Sequence, residues 1–215
     1  MYLGEMTLLI IAVLVMTGLA RGITTRLGLN DIVTSVSIFL IVLLNVRGGI
    51  SIGKDFSLSL GGVLSILLCT YTFIRRKEKA SDLLAGFLSM LGCAGISFLY
   101  TFHFLSVVQL DPRLLAALLS LLVGLWSALA ARRTFASCLF SSVAGSFFGI
   151  TIYLIFFRKS GNIGGNYTFA VMWIGATVGL LLQYLFAMMM RVTKSPRANS
   201  YFEAGEMQEE EKGRE

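Results

Sequence analysis

Charge is what this sequence has least of. Its 215 residues include 18 Lys and Arg and 12 Asp and Glu, 14% in all, where a soluble domain carries about 25%. Eleven of those charges lie from Arg191 onward, so positions 1–190 hold only 19. With 56% hydrophobic residues and a mean hydropathy of +0.79, too little polar surface remains to coat a globule in water. That excludes an ordinary soluble domain and leaves a multipass membrane protein.

Other scarcities exclude chemistry. The single histidine, His103, sits beside Tyr100 and Phe102 with no cysteine or carboxylate cluster near it, which rules out a zinc site of ordinary composition. Ser97 lies six residues earlier, off the helical face that i, i+3 or i+4 neighbours share, so a Ser/His hydrolase is not expected. Cys69, Cys93 and Cys138 all fall inside apolar runs and read as small packing residues. No lysine lies in the last apolar run, which excludes a retinal-type Schiff base, and no P-loop or GxGxxG precedes a helix. The expectation is a non-enzyme with no catalytic residues, no metal site and no cofactor. The net charge of +6 comes from short basic clusters without interleaved aromatic residues, a pattern of membrane orientation rather than nucleic-acid binding.

What is present is a series of charge-free runs at 6–20, 32–46, 56–74, 83–110, 114–131, 134–157 and 160–190. A helix needs about 20 residues to cross a hydrocarbon layer of about 30 Å. The last five qualify directly. The first extends back to Tyr2 if Glu5 sits in its opening turn near the headgroups, and the second borrows Leu27–Leu29 while Arg47 snorkels outward. The predicted fold is therefore all-α, a polytopic transmembrane bundle of seven spans near 2–20, 29–46, 57–74, 83–102, 113–131, 135–157 and 168–190. On that count Arg21, Arg26, Arg75, Arg76, Lys77, Lys79, Arg132, Arg133 and the five basic residues of the tail share one side. Arg47, Lys54, Arg113, Arg158 and Lys159 share the other. Because cytoplasmic loops collect Lys and Arg, the N-terminus is expected outside and the C-terminus in the cytoplasm. Residues 1–190 form the membrane domain; 191–215, with the acidic run Glu209–Glu211, are expected to be a disordered charged cytoplasmic tail.

Between lipid tails no hydrophobic force drives helices together, so small residues every four positions mark the contacts. Such seams occur at Gly61, Ser65 and Cys69; Ala85, Ser89, Cys93 and Ser97; Ala116, Ser120, Gly124 and Ala128; Ser137, Ser141, Gly145 and Gly149; and Gly175 and Gly179. Two outer loops, 47–55 and 160–168, are rich in glycine, including Gly164 and Gly165, and read either as tight turns or as irregular backbone folding back into the bundle. Every span interior reads as free of Asp, Glu, Lys and Arg, leaving Asn45 and Gln183 as the strongest polar groups. Asn45, Gly145, Gly149, Gly164, Gly165, Gly175, Gly179 and Gln183 are thus the candidate packing or ligand-path residues. Asp111 and Pro112 read as an N-cap and first helical residue.

Three stretches carry a resemblance: LGLNDIVTSVSIFLIVLLNVRGGISI from Leu27 to Ile52, FSLSLGGVLSILLCTYTFIR from Phe56 to Arg75, and Val143 to Leu181, with VAGSFFGITIYLI and NIGGNYTFAVMWIGATVGLL. They resemble a bacterial and archaeal family of multipass membrane proteins catalogued as domain of unknown function 1614. That family's pattern has aspartates where this chain has Thr151 and Ala170. The resemblance implies topology and a prokaryotic origin, in the cytoplasmic membrane, and adds no activity. The functional expectation is an uncoupled, permease-like handler of a small or lipid-like ligand. The alternative is a scaffold or sensor subunit binding another membrane protein or a second copy of itself. The lipid bilayer is the expected partner in either case, and nucleic acid in neither.

Overall fold

A computed structural model describes residues 3–75, 80–108, 111–130 and 134–212. Arg76, Lys77, Lys79, Arg132 and Arg133 of the basic clusters lie outside the described residues, as do the side chains from 191 onward. The structure is 83% helical, with eight α-helices among the described residues: α1 (Leu3–Met16), α2 (Arg21–Leu27), α3 (Asp31–Val46), α4 (Leu60–Arg75), α5 (Ala80–Thr101), α6 (Pro112–Ala130), α7 (Phe135–Tyr153) and α8 (Asn166–Lys212). Three short strands join them: β1 (Gly49–Ile52), β2 (Phe56–Ser59) and β3 (Gly161–Ile163).

Each of the seven expected spans is a helix, but they are of two kinds. Four, at Ala80–Leu105, Pro112–Ala130, Phe135–Arg158 and Asn166–Met190, are long and apolar enough to cross a membrane. α1, α3 and α4 have 14, 16 and 16 residues, about 21–24 Å at 1.5 Å per residue. The first expected span is shortened by a break at 17–20, where Gly18 takes φ 78°, and an additional helix, α2, follows it. The Asp111–Pro112 reading holds: α6 starts at Pro112 and Asp111 Oδ1 accepts from Arg113 N at 2.9 Å.

α7 is the axis of the bundle. All residues from Phe135 to Phe147 are buried, because Ala, Ser, Cys and Gly recur all around this helix rather than on one stripe. It contacts α4, α5, α6 and α8. The backbones meet closely where glycine allows. A Cβ on Gly149 would lie 2.3 Å from the Ala94 carbonyl oxygen, and one on Gly145 2.7 Å from that of Met90, both on α5. α8 closes on α6 in the same way, with Gly175 over Ser120 and Val123, and Gly179 against Ser127, Cys138 and Gly124. α1, α3 and α4 form the layer on the far side of α7 and α8 from α5 and α6, sharing a core that includes Leu8, Ile41, Cys69, Val143, Phe169 and Met172. Aromatic rings rest on two further glycines, Phe73 on Gly86 and Trp126 on Gly92. The outward faces of α1 and α3, with Met6, Ile10, Val13, Val36 and Phe39, stay apolar and exposed, the surface of a helix that meets lipid.

The two glycine-rich loops turn out to be partners. β1 and β2 form an antiparallel hairpin with Gly49 opposite Ser59, and β3 adds in parallel to β2 with Ser57 opposite Asn162. This small sheet covers the end of the bundle at which α3 and α7 finish and α4 and α8 begin. The segment expected to be a disordered tail has a helical backbone as far as Lys212. Its Ala, Glu, Gln, Met, Lys and Arg content favours helix intrinsically.

The close approach of α5 and α7 has a direct test. Gly149→Ala is expected to lower the melting temperature in detergent, since overpacking costs about 1–3 kcal/mol. Gly95→Ala, where a Cβ meets nothing within 4 Å, should leave it unchanged or raise it.

Candidate functional site

At the sheet end, the first turn of α1 is tied to its neighbours by polar groups. Asn45 Nδ2 at the end of α3 donates to Glu5 Oε1, and Ser59 Oγ at the end of β2 donates to Asn45 Oδ1. Ser59 Oγ in turn accepts from Gly62 N at 3.3 Å. Glu5 is only 3% exposed, and its Oε2 has no hydrogen-bond partner. Glu5 is in the opening turn of α1, as expected, but it is buried in the bundle rather than turned out toward headgroups. Glu5 is turned inward because Gly4 packs directly on the backbone of Phe169 and Ala170, fixing the rotation of α1. The sequence signal was the pair itself, one carboxylate and one carboxamide in two otherwise apolar neighbouring segments.

The opposite end of the same helices contains an apolar cavity. It is about 180 Å³, larger than the roughly 150 Å³ apolar cavity known to hold benzene. Its wall combines Ile11, Leu14 and Val15 of α1, Ile23 and Leu27 of α2, Ile38 of α3, and Trp173, Ala176, Leu180 and Leu181 of α8. Leu14 of α1 and Leu181 of α8, 38% and 51% exposed, are the exposed residues of that wall.

Every polar side chain in that wall is already engaged elsewhere. Thr24 Oγ1 donates to Asp31 Oδ1, Thr34 Oγ1 to Asn30 O at 2.8 Å and Thr177 Oγ1 to Trp173 O at 2.7 Å. Trp173 Nε1 donates across to Ser65 Oγ of α4 at 3.1 Å, leaving the indole ring as wall and no N–H for a ligand. A site whose donor protons are all spent and whose surface is almost wholly apolar offers mainly burial, which suits an apolar ligand. Sequence reasoning did not single out Trp173 or the α2 residues. Their signal was a tryptophan inside an apolar run, whose N–H needs a partner when buried.

The residues chosen from sequence do not converge on this cavity. Gly145 and Gly149 of α7 pack against α5, and Gly175 and Gly179 of α8 pack against α6. Gly164 packs on Gly62 and Phe147, and Gly165 against Asn162. Asn45 belongs to the Glu5 clamp. Gln183 is 4% exposed, with both amide atoms unpartnered, beside a separate pocket with Ala128, Phe186 and Met190. Among the described residues no group of three or more His, Cys, Asp or Glu could hold a metal ion.

The clamp sets a measurable cost. Asn45→Ala deprives both Glu5 and Ser59 of a buried partner and is expected to destabilise by about 1–3 kcal/mol in equilibrium unfolding in mixed micelles. Glu5→Gln, which keeps an acceptor oxygen for Asn45, should cost less than half as much. No protein-family model, no curated protein and no solved structure matches this chain.

Proposed function

We propose that this protein is a non-enzymatic membrane component that takes an acyl chain or similarly apolar ligand laterally from the bilayer into the cavity beside Trp173. One observation carries the reading: the cavity wall has its hydroxyls and its indole N–H tied to other protein groups, so almost only apolar surface faces the space. Leu14 and Leu181 of that wall lie on a face that is otherwise exposed and apolar, which fits access from lipid.

The same reading takes the chain across the prokaryotic cytoplasmic membrane seven times, with the N-terminus outside. Support comes from the alternation of helix ends between the sheet end and the more basic end. Three crossings by helices of 21–24 Å ask for local thinning of the bilayer, a modest cost per Å of mismatch. The three stretches that resemble domain of unknown function 1614 correspond to α3–β1, β2–α4 and α7–β3–α8, which meet at the sheet. That is compatible with a divergent member of that family. The scaffold alternative draws on the continuation of α8 to Lys212, a helix extending about 33 Å past Met190.

The test uses Trp173 as a reporter. In a Trp126→Phe background Trp173 is the sole tryptophan. A fatty acid brominated along its chain should quench its fluorescence saturably at low mole fraction in nanodiscs. Ala176→Phe, which fills the cavity, should abolish the saturable component. Quenching that rises only linearly with lipid bromine content, and is unaffected by Ala176→Phe, would contradict the proposal.

A further inference from the structure

A second cavity, distinct from the apolar one, opens at the sheet end of the long helices. It is about 220 Å³, room for several waters at about 30 Å³ each. Its wall is largely apolar, with Ile150 and Leu154 among its residues, but polar groups converge on it: Thr101 at the end of α5, Tyr153 at the end of α7, Arg158 five residues further on, and Asn162, Asn166 and Tyr167 around the start of α8. Among the described residues Arg158 is the only charged one lining it. Two hydroxyls that line it, Thr101 Oγ1 and Tyr167 Oη, are buried beside one another, and neither has another hydrogen-bond partner among the described residues. Thr101 is 0% exposed. A hydrogen bond between the two uses one of their two O–H protons and leaves the other without an acceptor, at a cost of about 1–3 kcal/mol, so an acceptor group has a place to bind.

The electrostatics select the sign. The first turn of α8 forms one wall, and the residue before it is Gly165, which has no side chain to cap the free N–H groups of a helix start. Those N–H groups and the helix dipole favour an anion. Arg158 adds a full positive charge at the rim. The nearby acids point elsewhere: Asp111 caps α6 through Arg113 N, and the Asp55 side chain is exposed outside the lining residues.

We propose that this vestibule is an oxyanion site that binds a phosphate group. Arg158 and the start of α8 supply charge, Asn162 and Asn166 supply carboxamide donors, and Thr101 and Tyr167 supply hydroxyls. The group can belong to free phosphate or to a phospholipid headgroup, since either presents the same oxygens.

Binding of radiolabelled inorganic phosphate to the full chain in neutral-lipid nanodiscs tests the free source. The melting temperature in nanodiscs with and without about 10% phosphatidic acid tests the headgroup. Arg158→Gln should weaken binding at least tenfold. Thr101→Val should weaken it about threefold while leaving the ligand-free melting temperature about the same, because valine fills the same space and one O–H proton lacks an acceptor either way. Arg113→Gln, at the same end but outside the vestibule, should change neither. Saturable phosphate binding with these sensitivities identifies a free oxyanion site. Stabilisation by phosphatidic acid alone, with the same sensitivities, identifies a headgroup site. Absence of both, unchanged binding in Thr101→Val, or equal losses in Arg113→Gln and Arg158→Gln would overturn the proposal.

Discussion

The architecture depends on how closely two helix backbones can approach the α7 axis and its neighbour α8. Hydrocarbon gives no hydrophobic reward for bringing helices together, so contact has to come from dispersion and from backbone proximity. α7 meets that condition on every side. Its small residues let α5 reach within van der Waals distance at Gly145 and Gly149, while Gly179 of α8 closes on Ser127 and Cys138. With α7 surrounded, α5 and α6 fall on one side, and α1, α3 and α4 on the other.

That arrangement explains why the two ends of the bundle differ. The three short helices do not fill the same height as the four long ones. At the sheet end the shortfall is covered by paired glycine-rich strands and by the Glu5–Asn45–Ser59 clamp, a polar set that fixes the rotation of α1. At the other end α1 stops at Met16 and the chain folds back through α2. The space left between them and α8 is the apolar cavity. The clamp and the cavity are thus two consequences of one mismatch in helix length.

Much of the fold was legible in the sequence. Charge-free runs marked seven of the eight helices, missing α2 and the continuation of α8 past Met190, and the glycine, serine and cysteine seams marked faces that meet in the α5–α7 and α6–α8 contacts. The sites were less legible, for physical reasons. A carboxylate at position 5 is compatible with either a headgroup-facing or an inward-facing first turn, and only the packing of Gly4 on α8 decides between them. Periodicity identifies α7 as apolar but does not reveal that it is buried all round. The pairing of residues 56–58 with 161–163 joins segments a hundred residues apart, which no local pattern encodes. The cavity arises from where helices end, and element ends are the least certain feature of a hydropathy pattern.

The central claim is that the space beside Trp173 exists in the bilayer and is occupied by an apolar chain. An experimental density map of the protein in lipid nanodiscs tests this most directly. The account predicts elongated density running from Leu14 and Leu181 to the Trp173 ring, with Trp173 Nε1 still bonded to Ser65. A collapsed bundle, in which α1 and α2 close onto α8 and side chains fill the space, would contradict it.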